Sequence, residues 1–269
     1  MITVKRIDTI EGIKDLIFEQ TYNADIDRTR SSYFYHGMPD ANYKLTTSLS
    51  RNCKGAYKEL EQPLLDYFIK YVRIEDPAIN ESIWKAMVIG QHYGLPTRLL
   101  DWTHSTLVAL HFANTEDNLD KLSQRDCAVW RIDMQDLNRN LPKKYTDYLN
   151  SKKTIVFSLD GLSEVAESIA QYDADMGSRA MVCFEPPSVD LRIANQYSFF
   201  SAIPNGITDL EAFLDSNTEN TVKYVIDKEL RWEVRDILDQ FNINERMIYP
   251  GKAGIAKWLA RHYFVKKND

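Results

Sequence analysis

A chain of 269 residues that is 44% hydrophobic and 12% aromatic can bury a sizeable core. Its formal net charge of −6 comes without a basic block, which counts against non-specific nucleic-acid binding, because neutralising phosphates needs clustered Lys and Arg. No apolar run approaches the roughly 20 residues of a membrane helix, and MITVKRIDTIEG has no apolar signal core, so a cytoplasmic protein without membrane contact is expected. Cys53, Cys127 and Cys183 are far apart and lack CxxC spacing. They read as small apolar residues rather than a disulfide framework or a zinc site, and no metal is expected.

The spacing of Ile13, Leu16, Ile17 and Phe18 predicts an amphipathic helix over 13–22. Residues 33–37, Tyr-Phe-Tyr-His-Gly, have the aromatic content of a strand that stops where Met38, Pro39 and Asp40 make a loop. Leu60, Leu64, Leu65, Phe68, Ile69 and Val72 fall at helical spacing over 56–74, and 83–90 is a second apolar helix. Short β-prone runs follow at 97–102, 128–132, 154–159, 180–184, 224–226 and 247–249. A further helix is predicted after Ser105, with Leu107, Val108, Leu110, His111 and Phe112 facing inward, and others over 229–241 and over 255–264 after a PGKAG turn, the last expected to dock onto the sheet. The order favours an α+β arrangement over regular βαβ alternation, and no linker marks a domain boundary.

The segment QHYGLPTRLLDWTHSTLVALHFA, residues 91–113, concentrates chemistry. Gly94-Leu95-Pro96 forces a turn before a short extended run. Asp101, Thr103 and Ser105 then offer oxygens to the orphan amides of a helix, a capping role that needs no ligand to explain it. The segment reads as the wall of a site. No GxGxxG or GxxxxGK[ST] is present, so dinucleotide and P-loop phosphate sites of those types are not expected, and no GxSxG supports a serine hydrolase. His92, His104 and His111 lack metal-ligand spacing.

Four ordered segments carry a family resemblance: YFYHGMPDANYKLTTSLSR, QHYGLPTRLLDWT with its following helix, LRIANQYSFFSAIP, and IYPGKAGIAKWL. In these the chain resembles the FRG domain proteins, with His36 where the family has Arg before the Gly, and Lys252 and Ala253 where an acidic-Leu pair is usual. The resemblance implies one FRG domain over 1–269, with 1–32 an N-terminal helical extension and 33–260 the core. It also implies an ADP-ribosyltransferase-like fold, a split, twisted β-sheet core with N-terminal and flanking helices, gripping NAD as substrate in a cleft. Within bacteria it points to toxin or phage-defence settings.

On that resemblance, His36 hydrogen-bonds the adenosine ribose, and Gly37 faces the nicotinamide amide where a missing Cβ lets the ligand approach. Thr103 falls beside the nicotinamide, Trp102 or Tyr93 stacks on it, and Arg98 either pairs with Asp101 or grips the diphosphate. Gln196 takes the position near the reacting ribose, where it can hydrogen-bond a hydroxyl but cannot take a proton. The oxocarbenium-like transition state is better stabilised by a carboxylate, so a second acid such as Glu185 enters as an alternative. Three readings remain open: transfer of ADP-ribose to a protein or nucleic acid, a nucleotide or nucleic-acid sensor without chemistry, and NAD hydrolysis. Arg28, Arg30, Arg51, Lys54 and Lys58 offer a basic rim near the first motif for a phosphate-bearing partner, or an ordinary charged surface.

Overall fold

A computed structural model describes residues 1–24, 26–187 and 191–266. Among the described residues ten strands form: β1 (Thr3–Ile7), β2 (Tyr22–Asn23), β3 (Arg28–Thr29), β4 (Tyr33–Met38), β5 (Leu99–Thr103), β6 (Cys127–Asp133), β7 (Phe157–Ser158), β8 (Val182–Glu185), β9 (Ser198–Ala202) and β10 (Val222–Ile226). Apart from a small β2–β3 hairpin they make one mixed sheet in the order β1-β10-β6-β4-β5-β9-β8-β7, parallel only at its two outer pairs. The α+β class therefore stands, with helices interspersed between strands along the whole chain.

The sheet is nearly two sheets. β4 pairs with β6 over six residues and β5 with β9 over five, but β4 meets β5 only at Tyr35 and Thr103. On one face, alternate residues Phe34, Met38, Leu100, Trp102, Trp130, Ile132 and Phe199 build a core that runs beneath both halves. On the opposite face the cores are separate. Tyr35, Val129 and Tyr224 pack with helices α1 (Ile10–Ile17) and α5 (Thr106–Ala113), joined there by Val234 and Leu238 of the later helix Arg231–Gln240. Leu99, Val182, Phe184, Phe200 and Ala202 pack with α4 (Ile83–His92) and the helices that follow β6. The gap between these two cores, over the β4–β5 split, is where the cleft lies.

Several elements differ from the sequence-based expectation. The first 32 residues are no helical extension: β1 forms a sheet edge against β10, and Ile13 and Leu16 of α1 are fully inside a core. Residues 247–249 are not a strand, because Asn244 caps a short helix, Glu245–Ile248, whose Glu245 carries buried ion pairs. The closing helix, Lys252–His262, does not dock an apolar face onto the sheet: Ile255 and Leu259 are exposed. Its anchor is Arg261, buried and bonded to Glu245 and Asp239. Helix α3 (Tyr57–Val72) accommodates Pro63, as the apolar spacing requires. Cys127 and Cys183 are buried as expected, and Cys53 is half-buried.

Candidate functional site

Two cavities open at the split. The larger, about 610 Å³, is lined by His36 to Pro39, by Tyr43, Lys44, Thr46, Ser48 and Arg51 from the loop and helix after β4, and by Gln91, Gly94, Leu95 and Asp101. The smaller, about 140 Å³, is lined by Tyr35, His36, Gly37, Asp101, Trp102, Thr103, Phe112, Arg192, Gln196 and Ser198. His36, Gly37 and Asp101 line both, so the cavities are neighbours across these residues.

Local structure explains why they adjoin. At the split, the Asp101 carbonyl accepts a hydrogen bond from His36 Nδ1 at 2.6 Å, a side chain bridging two strands whose ladder pairing has stopped. A carbonyl only accepts, so the proton is on Nδ1 and the neutral ring presents Nε2 as an acceptor. Burial lowers the His36 pKa from its ordinary value, the carbonyl bond opposing the shift, which keeps the ring neutral near pH 7. The Trp102 ring stands 5.7 Å away, its own Nε1 tied to Ser201 Oγ at 2.9 Å.

Asp101 faces the cleft from the next strand. Asp101 is solvent-exposed at the cleft, but the protein packed around its carboxyl partly desolvates it and raises its pKa, against the hydrogen bond from Gln91 and the nearby Arg192. Gln91 Nε2 donates to Asp101 Oδ1 at 3.0 Å, and Gln91 Oε1 accepts from Thr97 Oγ1. Gly94, at φ +91°, ends α4 in a left-handed turn in which Leu95 N bonds back to the Gly90 carbonyl at 2.8 Å. That turn brings the chain from α4 round into β5, so that Gln91 and Asp101 meet.

Thr103 and Gln196 line the smaller cavity together with His36. Thr103 Oγ1 donates to the Gln196 carbonyl at 2.8 Å and accepts from Ser105 N at 3.1 Å. The Gln196 side chain donates to the Ile248 carbonyl at 3.2 Å, and its neighbour Asn195 donates to the Met247 carbonyl at 2.7 Å. The cap of α5 is Ser105 alone, whose hydroxyl accepts from Val108 N; Asp101 takes no part in it.

Other expected residues lie elsewhere. Arg98 is 2% exposed and neither pairs with Asp101 nor reaches the cleft: Nε donates to Glu61 at 2.7 Å and Nη1 to Asp173 at 2.6 Å. Tyr93 is 77% exposed and lines a separate groove between α3 and α4, and Trp102, although it borders the smaller cavity, is 2% exposed with its indole packed in the core. Neither presents a face for stacking in the cleft. Glu185 sits at the exposed end of β8 and lines neither cavity. Gly37 lines the cleft, but its missing Cβ makes room for a helix rather than a ligand, since a Cβ there would stand 1.9 Å from the Ala109 carbonyl of α5.

Arg51, expected only as part of a basic rim near the first motif, and Arg192, not among the expected residues, bring cations to the two cavities. Arg51 projects from α2 (Ser48–Cys53) into the larger cavity, held by the Thr46 carbonyl and without an ion-pair partner among the described residues. Arg192 lines the smaller cavity with its guanidinium 5.4 Å from the centre of the Tyr249 ring. Arg51 follows the Leu-Ser of its motif and Arg192 stands four before Gln196, so both were visible in the sequence as members of motifs but not as lining one cleft.

The site is thus a polar cleft at the split of a mixed sheet in an α+β protein, with a neutral histidine, a carboxylate, hydroxyls, the amides of Gln91 and Gln196, and the cations Lys44, Arg51 and Arg192 around two adjacent cavities. Residues 31–121, which run from just before β4 to beyond α5, match the family model of the FRG domain. The matched residues contain His36, Gly37, Arg51, Gln91, Asp101 and Thr103, whereas Arg192 and Gln196 lie outside them. No curated protein and no solved structure matches the chain.

Proposed function

We propose that the chain binds NAD across the β4–β5 split and transfers ADP-ribose to a macromolecular acceptor. The observation that carries this reading is the convergence of His36, Thr103 and Gln196, from three parts of the chain, on a small cavity that shares His36, Gly37 and Asp101 with a larger one. The small cavity suits a single ring such as nicotinamide. The larger one, about 610 Å³, falls within the usual volume of small-molecule sites, and its Arg51 and Lys44 suit a diphosphate. His36 Nε2, an acceptor, suits a ribose hydroxyl. The scissile bond between ribose and nicotinamide then lies where the cavities adjoin.

The test is to incubate the protein with NAD carrying labelled adenylate, with and without cell extract, and to follow nicotinamide release and label together. Transfer predicts nicotinamide release with label on protein or nucleic acid. Free ADP-ribose with no added macromolecule would instead establish hydrolysis. His36→Ala is expected to weaken NAD binding about tenfold, the worth of one hydrogen bond to a buried partner. One observation favours a second reading, a nucleotide sensor without chemistry: Gln196 is uncharged and its amide is engaged with the Ile248 carbonyl. Tight binding of NAD by calorimetry with no nicotinamide release would decide for it.

A further inference from the structure

Among the described residues Asp101 is the sole carboxylate lining the two cavities, and it lines both. Around it stand the histidine, Gln91, and Arg192 on the wall of the smaller cavity. It has no ion-pair partner among the described residues, so its charge is not consumed by a structural bridge as those of Glu61 and Asp173 are. Its orientation is built in: Gln91 Nε2 holds Oδ1, Thr97 Oγ1 holds Gln91, and Thr97 is itself fixed through its amide by Ser48 Oγ at 3.1 Å. Such a relay from α4 and the loop before β5 is what a positioned acid–base group requires. Glu185, the other acid considered, is on β8, two strands away from β5 across β9.

We propose that Asp101 is the catalytic carboxylate of this cleft, with Gln196 limited to holding the ribose. The proposal rests on the NAD reading above. As the bond between ribose C1′ and the nicotinamide nitrogen breaks, its electron pair goes to nicotinamide, which leaves neutral. The Asp101 charge stabilises the positive charge that develops on the ribose. A lone pair of the acceptor hydroxyl or amine, or of water, forms the new bond to C1′, and the acceptor's proton passes to Asp101, which later releases it to solvent. The raised carboxyl pKa brings such a base nearer to neutral pH and makes the rate climb with pH as Asp101 ionises.

The test compares wild type with Asp101→Asn and Asp101→Glu, measuring NAD binding by calorimetry, nicotinamide release across pH, and thermal unfolding as a control for folding. Asp101→Asn keeps the size and the partner for Gln91. The expected result is NAD binding within about threefold of wild type, nicotinamide release lower by about 100-fold or more, and loss of the climb with pH, with part of the rate restored in Asp101→Glu. Release by Asp101→Asn within tenfold of an active wild type, or loss of binding in step with rate, would overturn the catalytic role and leave the NAD reading standing. A wild-type protein that neither binds NAD nor releases nicotinamide would overturn both.

Discussion

Gly37 shows how one residue can serve the cleft without meeting a ligand. Tyr35 and Gly37 lie on the α5 side of β4, and α5 crosses so closely that a Cβ at 37 would stand 1.9 Å from the Ala109 carbonyl and 2.6 Å from the Ala113 amide. Backbone atoms of a helix cannot rotate aside as a side chain would. Gly37→Ala is therefore expected to destabilise the fold by about 3 kcal/mol, the upper end of overpacking costs, by forcing α5 off β4. Urea unfolding measures this, and a midpoint equal to wild type would mean that α5 yields freely. The His-Gly pair is legible in the sequence as a strand-end site, but the reason for the glycine is not. That reason is a contact with residues more than 70 positions further on.

At the scale of elements, α3, β5 and the helix Ile169–Met176 are tied by Arg98, with Glu61 on one side and Asp173 on the other. Glu61 is 3% exposed, and Asp173 is further held by the amide and side chain of Asn205, both at 2.9 Å. Burial disfavours the Arg98 charge, but its bonds and attraction to Glu61 and Asp173 outweigh this and raise its pKa. Arg98→Met would leave two carboxylates without their cation at the root of β5, and a loss of about 3–5 kcal/mol is expected in chemical denaturation. A loss under about 1 kcal/mol would show the pairs to be solvated and dispensable. An arginine one residue before β5, in a motif of polar residues, reads in sequence as a ligand-binding group. Only its partners, 37 and 75 positions away, mark it as structural.

For the whole molecule, the last three helices brace the cleft from behind. Helix Glu245–Ile248 receives the side chains of Asn195 and Gln196, and is itself locked by Glu245 to Arg235 and Arg261. Arg235 Nη1 also donates to His111 Nδ1 of α5 at 3.1 Å, so this cluster links α5 to the Gln196 segment. His111 is 1% exposed and its pKa is held well below the ordinary value by burial and by the charges of Arg235 and Arg261, with Asp239 opposing. The folded protein thus keeps His111 neutral while the unfolded chain takes up a proton below about pH 6.5. Stability from this residue is present above that pH and falls as the pH drops below it. Thermal unfolding is expected at a lower temperature at pH 5 than at pH 7.5, with a smaller difference in His111→Asn; an equal difference in both proteins would assign the pH dependence to other groups.

By itself the sequence determined what depends on near neighbours. The apolar spacing set α3, α4 and the helix Arg231–Gln240, aromatic content and β-prone composition set β4 and β6, and Gly94-Leu95-Pro96 set the turn that ends α4. The two earlier segments of motif, residues 33–51 and 91–113, were also readable, and they fall within or overlap the matched FRG domain residues 31–121. Tertiary structure alone decided which charges face the cleft and which are consumed by one another. Arg98 and Arg51 look alike in sequence, yet one is closed off by two carboxylates and the other opens into a cavity. It also decided that β1 completes the sheet edge and that β4 and β5 part after a single pair. Pairing between distant segments depends on the burial of whole faces, which no local spacing records.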